Sequence, residues 1–321
     1  MKGEGWGEGE NSATKIFIKS ELLSVVVWIE AYGYKHAKIH VSALKESPLP
    51  FKFVTFKLCC AMKYIDAEAQ GDLLDKRLED SEVFSFRCHE GLECFTRCCR
   101  NLNLFLYPYD VLRLKNRLNI SSEQFLDSYV DIVLRKSSFF PDVLLRMAEN
   151  EEKTCPFLNE SGCTVYPDRP DTCRTFPLEQ GILFQGPAGK PTDVYFFKPP
   201  SFCLGQYEPQ EWTSQSWAED QGAVLYHKMT AKWAEVKGLF RSDPWGQEGP
   251  YGPKGKMAFM AAYNLEKFCD FVFQSTFLKR YKVKSEMLKK IKTDEVALMK
   301  FGFVWVKFFV WGIKHPYLRP R

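Results

Sequence analysis

The pattern of apolar and polar positions becomes readable at Asn101. Leu102, Leu104 and Leu106 alternate with polar or outward positions, which predicts a short strand. Past Pro108 the apolar residues Val111, Leu114 and Leu118 take helical spacing, with Arg113, Lys115 and Arg117 reading as a solvated basic edge. Ser121 with Gln124 has the form of a capping box and predicts a second helix with Phe125, Leu126 and Tyr129 facing inward. In CPFLNESGCTVYPDRPDTCRTFPL, the turn signal Asn159 to Gly162 separates two short apolar stretches, predicting a tight hairpin. One helical turn follows, with Asp171 placed to cap it and Pro177 closing it. Ile182 to Phe184 and Val194 to Phe197, joined by a Gly/Pro loop, predict a second hairpin that leads to Cys203.

From Thr213 to Phe240, Trp217, Leu225, Met229, Trp233 and Val236 keep helical spacing. Ser242 to Gly255 is rich in Gly and Pro and reads as a linker. Beyond it Phe268, Val272 and Phe273, then Leu298, Phe301 and Trp305, mark a largely helical tail. The apolar tract Val296 to Ile313 is interrupted by Lys300 and Lys307, so a buried or amphipathic helix is expected rather than a membrane span. Residues 1–61 have apolar patches without caps or a consistent period. They read as an N-terminal extension with little part in the fold, Met62 being the expected natural start. The expected organisation is an extension at 1–61, a cysteine-cluster metal-binding domain at 62–240, a linker at 241–256 and a helical C-terminal region at 257–321 that packs on the core. The expected fold class is α+β: a small irregular cysteine-rich core of short hairpins and helices, followed by a mainly helical tail.

Composition narrows the function. Of 321 residues, 45% are hydrophobic and 26% charged, so a packed core is affordable and a disordered chain is excluded. The net charge of +4 is not gathered into a basic stripe, and nucleic acid is not expected as a partner. No secretory signal is seen before the apolar run Leu22 to Ile29, and no transmembrane segment is expected. A reducing cytoplasm is the expected compartment, and there clustered cysteines bind metal or do redox chemistry rather than form disulfides.

The sulfur is concentrated. FRCHEGLECFTRCC carries Cys88, Cys94, Cys98 and Cys99, and Cys155, Cys163, Cys173 and Cys203 follow at hairpin and turn positions. Short loops between thiols keep the entropy of gathering them small. Adjacent residues point apart, so Cys98 and Cys99 can serve different centres, bridge two metals, or divide into a ligand and a buried thiol. Cys269, beside Phe268 and Phe271, reads as a small apolar residue, and Cys59 and Cys60 as incidental. His89 is a minor ligand candidate beside Cys88. Arg169 and Arg174 flank Cys173, and Arg87, Arg97 and Arg100 flank the first cluster. Four thiolates on a divalent zinc or an oxidised four-iron cluster leave a charge near −2, which guanidinium groups would offset; the same arginines could bind an anionic substrate or cofactor.

FRCHEGLECFTRCC, LYPYDVLRLKNRLNISSEQFLDSYV and CPFLNESGCTVYPDRPDTCRTFPL together resemble the YkgJ-type cysteine-cluster family of zinc- or iron-chelating domains, over about residues 84 to 205. AAYNLEKFCDFVFQSTFL looks like the tail extension of a bacterial subgroup. The resemblance implies metal chelation by these cysteines. The five residues between Cys88 and Cys94 are longer than the family's usual spacing and are similar to the cluster of flagellin lysine N-methylases, which implies an iron-sulfur centre and S-adenosylmethionine chemistry. The radical-enzyme triplet of cysteines is absent, because Cys99 follows Cys98 directly.

Three readings follow: a non-catalytic or redox metal module holding iron, as an iron-sulfur cluster, or zinc; an iron-sulfur protein lysine methyltransferase; and an interaction protein stapled by zinc. The first uses Cys88, Cys94, Cys98, Cys99, Cys155, Cys163 and Cys173, with Cys203 as the eighth. Cysteine without histidine, and the Cys155-Pro156 step, lean towards iron, while zinc accepts four cysteines equally well.

Overall fold

The computed structural model describes side chains from residue 77 onward, apart from residues 136–137 and 185–191. Before that it describes only the strand backbones Ala13–Ser20, Leu23–Tyr32, His36–Ala43 and Tyr64–Asp66. The chain divides into two units, residues 1–57 and 58–321. In the first, where the sequence pattern predicts no element, the three strands form an antiparallel meander in chain order. Cys59, Cys60 and the Gly/Pro loop of the second hairpin lie outside the described residues.

The second unit is α+β, with small sheets set among helices. Pro108–Leu118 (α1) starts on Pro108, which has no amide to leave unpaired, and ends on Asn119 in the left-handed region. Ser122–Tyr129 (α2) starts in the expected capping box: Ser121 Oγ accepts from the Gln124 amide at 3.1 Å, and Gln124 Oε1 accepts from the Ser121 amide at 2.9 Å. A three-stranded antiparallel sheet, with Asp142–Leu145 between Phe105–Leu106 and Val130–Val133, packs beside these helices. Leu158–Asn159 pairs with Gly162–Cys163 in the expected hairpin, and Asp171–Thr175 (α3) is the single helical turn after it. Leu178–Phe184 pairs antiparallel with Pro191–Phe197 and parallel with Tyr64–Asp66.

The helix expected over 213–240 is two helices, Ser214–Asp220 (α4) and Val224–Leu239 (α5). The break falls at Gly222, whose φ of +60° a side chain would resist. Trp217, Met229, Trp233 and Val236 are buried as expected, but Leu225 is 47% exposed because the second helix begins on a new phase. The tail is Pro253–Tyr263 (α6), Leu265–Gln274 (α7), Phe277–Arg280 (α8), Ser285–Ile291 (α9) and Glu295–Trp311 (α10). No helix among the described residues is long and apolar enough to cross a membrane.

Two apolar clusters organise this unit. The larger runs from Leu114 and Phe125 through Trp233 to Phe268, Phe301 and Trp305. Burying one such side chain contributes about 1.5–3 kcal/mol before conformational entropy is subtracted. Helices α6 and α10 touch closely at Gly302, where an added Cβ would lie 2.1 Å from the Ala261 carbonyl oxygen. The smaller cluster is Phe84, Phe86, Leu178, Cys203 and Trp217.

The basic edge of α1 needs correction. Lys115 is buried and its ammonium lies between Glu266, at 3.0 Å, and Glu295; Arg113 pairs with Asp168; Arg117 alone is exposed.

Candidate metal centre

Cys88 and Cys94 lie in the turns that lead from Phe84–Ser85 to the short 3-10 turn Arg97–Cys99, which carries Cys98 and Cys99. Backbone hydrogen bonds join this stretch to the segment after Cys203. The Arg87 amide donates to the Gly205 carbonyl at 3.0 Å, and the Phe86 amide to that of Gln210 at 2.8 Å. The Leu204 amide points at Cys94 Sγ from 3.2 Å. Cys203 belongs to the smaller apolar cluster with Phe86 and Trp217, and Cys88 lies near enough to Cys203 and Cys94 to feel both.

A different set of contacts gathers the remaining sulfurs. The Cys155 amide donates to the Cys99 carbonyl at 2.8 Å. Cys163 comes from the second strand of the hairpin, Cys173 from α3, and both, with Cys155, pack against the larger cluster.

The electrostatics join the two sets through the adjacent pair, since Cys99 acts on Cys88 and Cys173 acts on Cys98. Burial pushes the Cys88 thiol up to about 11, with Cys203, Cys94 and Cys99 adding to the effect. Burial also pushes Cys155 up to about 11, helped by Cys99 and Cys163, and raises Cys163 and Cys203. Cys173 is raised well above an ordinary thiol by burial, then by Cys99, Cys155, Cys163 and Asp110. Within the adjacent pair, Cys98 donates its hydrogen to Cys99. That bond raises Cys98 and pulls Cys99 down to about 7, with Arg100 helping. Like charges held together and away from water resist ionisation, and a bound cation removes that resistance.

Among the described residues no three His, Cys, Asp or Glu side chains are drawn together closely enough to hold a metal ion as they stand. The donor set nevertheless suits a thiophilic metal: soft sulfur dominates, and Asp110, the one carboxylate acting on Cys173, is occupied by the amides of Tyr107 and Asp171 at 2.9 Å each. His89 is turned to the Gly91 amide at 3.2 Å and to Glu208 at 3.6 Å. Cys269 stands apart on α7 and feels Asp270, Lys292 and Glu266 rather than the clustered thiols.

The arginines divide in role. Arg100, bound to Glu152 at 3.1 Å, lowers Cys99, and Arg169 lowers Cys163. Arg169 donates to the Tyr166 carbonyl at 2.8 Å and to Gln221 at 2.6 Å. Arg174 is buried, with its nitrogens on the carbonyls of Arg169, Gln221 and Pro167 and on the Tyr226 hydroxyl. Arg97 lies over the Phe202 ring, 5.0 Å from its centre.

Asp171 does not cap α3. Pro170 holds the cap position, and the fully buried Asp171 carboxylate accepts from Thr230 at 2.7 Å and faces His227 at 3.4 Å. His227 also meets Thr175 at 2.9 Å and Tyr195 at 3.0 Å, so the turn carrying Cys173 is anchored from below. Sequence reasoning missed this anchor and Asp110, because both depend on residues distant along the chain.

The comparison with known families bears on the same segment. Residues 87–204 match the family model CxxCxxCC, "Putative zinc- or iron-chelating domain". The matched segment begins one residue before Cys88 and ends one after Cys203, so all eight clustered cysteines fall inside it, and the match supports a metal-binding role. No curated protein and no solved structure matches the chain.

Proposed function

We propose that the chelating-domain segment holds two four-sulfur metal centres, one from Cys88, Cys94, Cys98 and Cys203, the other from Cys99, Cys155, Cys163 and Cys173. The observation that supports this reading is that Cys203, whose neighbour Leu204 turns its amide to Cys94 Sγ, lies in the smaller apolar cluster, whereas Cys155, Cys163 and Cys173 pack against the larger one, with Cys98 acted on from both sides by Cys88 and Cys173. Arg100 and Arg169 are the cations that would offset thiolate charge, through their effects on Cys99 and Cys163.

Iron, as iron-sulfur clusters, is the favoured metal. An all-cysteine donor set and the Cys155-Pro156 step support it. When bound, such clusters supply one-electron redox chemistry, and the protein's part is to seat and shield them. The resulting reading is a cytoplasmic chelating or redox module. Anaerobic purification followed by metal and acid-labile sulfide analysis tests it. Iron with sulfide is expected. Stoichiometric zinc without sulfide overturns the choice of iron, and a protein without metal that takes up neither iron nor zinc overturns the chelating role.

A further inference from the structure

The C-terminal helices enclose a second feature, separate from the sulfur. Between α6, α7, α8 and α10 lies a cavity of about 100 Å³ with a floor of aromatic rings, chiefly Phe271, Phe277, Trp305 and Phe309. Phe277 and Trp305 are fully buried, whereas Thr276 and Arg280, which also line it, are exposed. The cavity thus has an apolar end and a polar mouth.

Of its polar groups only the Ser275 hydroxyl is satisfied, donating to the Phe271 carbonyl and accepting from the Phe277 amide. Trp305 Nε1 is the one buried side-chain nitrogen or oxygen among the described residues that lacks a hydrogen-bond partner. A buried donor left unpaired forfeits its hydrogen bonds to water, so an orphan of this kind needs an explanation. Among the described residues the Arg280 guanidinium has no carboxylate partner, and the side-chain hydroxyls of Thr276 and Tyr281 make no hydrogen bond. No lining residue is acidic. Donors without acceptors around an aromatic cavity call for a guest that brings acceptors and an apolar body.

We infer that this cavity is a binding site for a small organic carboxylate, with its ring or branched chain on the Phe277 and Trp305 floor and its carboxylate at Arg280. The volume suits a single ring or a branched chain of about five carbons. A guanidinium matches the planar carboxylate, and the remaining donors discriminate against cationic guests of the same shape. The site is independent of metal and goes beyond the chelating role.

Titration of the full chain with benzoate, benzyl alcohol and benzylamine tests the assignment, with the indole N–H resonance of Trp305 as the local readout. That resonance is identified by its loss in Trp305→Phe. Benzoate is expected to bind saturably, to shift the Trp305 resonance, and to bind at least about tenfold more tightly than benzyl alcohol. Arg280→Gln, a change at an exposed position, is expected to remove that tenfold advantage without lowering the unfolding midpoint, and Thr276→Val to reduce it. Absence of saturable benzoate binding, equal binding of all three compounds, a Trp305 resonance that does not move, or benzoate affinity unchanged in Arg280→Gln would each overturn the assignment.

Discussion

The Cys155 amide and the Cys99 carbonyl are joined at 2.8 Å, and an isolated antiparallel bridge between Arg100 and Thr154 extends the contact. Two distant cysteine segments are therefore already sewn together by backbone. If a metal also holds Cys99 to Cys173, losing a ligand on this side frees the hairpin Leu158–Asn159/Gly162–Cys163. Cys173→Ala is expected to lose about half the bound metal and to open that hairpin to protease. Cys88→Ala should lose the other half and leave the hairpin protected, and Cys269→Ala should do neither. Metal analysis with limited proteolysis checks all three, and an unchanged metal content in Cys173→Ala would remove that residue from the ligand set.

The anchor beneath α3 can be weakened without touching sulfur. Thr230→Val keeps the side-chain shape but takes away the hydroxyl that donates to the Asp171 carboxylate at 2.7 Å. A fully buried carboxylate short of one donor should cost about 1–3 kcal/mol. The expected result is a lower denaturant midpoint with an unchanged slope.

Lys115, Glu266 and Glu295 give a pH signature. Burial works against the Glu266 charge, but hydrogen bonds from the Ser122 side chain and Lys115 more than compensate and hold its carboxyl below the ordinary 4.5. Burial likewise opposes the Lys115 charge, and the bonds to Glu295 and Glu266 more than offset it, raising Lys115 above 10.5. As pH falls below 4.5 the unfolded Glu266 takes up its proton first, so its stabilisation is present above that pH and fades as pH drops through the folded value. The Lys115 contribution has the opposite sense, present below 10.5 and lost as pH climbs through its folded value. Glu266→Gln should therefore lower the unfolding midpoint at neutral pH and differ less from the native protein at about pH 3. Denaturation at the two pH values checks this.

Gly302→Ala tests the contact between α6 and α10. The new methyl group would fall 2.1 Å from the Ala261 carbonyl oxygen, which is rigid backbone, so the helices must part. A loss of about 1–3 kcal/mol is expected, read as a fall in the thermal midpoint. Ala substituted for the positive-φ Gly222 should also destabilise, through backbone strain rather than collision.

What could be read in the chain beforehand depended on how locally each feature is determined. Pro108 and the Ser121–Gln124 box declare their helix starts within four residues, and Asn159 to Gly162 declares its turn. Lys115 follows the same local pattern as Arg117, yet its burial is decided by Glu295, 180 residues further on. Asp171 has the identity of a cap but is drawn away by Thr230. The eight candidate ligands were legible from spacing. Where their segments pack was not, because Cys203 joins one apolar cluster and Cys155, Cys163 and Cys173 rest on the other through residues distant in the chain.

The chelating-domain match stops at residue 204, but the surface beneath it does not. Cys155, Cys163 and Cys173 rest against a cluster that includes Trp233 on α5 and Phe268, Phe301 and Trp305 on the tail helices. Transplanting the matched segment alone into another chain would carry the sulfurs across and leave behind the wall they lean on. The packing that backs the sulfurs is therefore continuous with helices that lie beyond the motif.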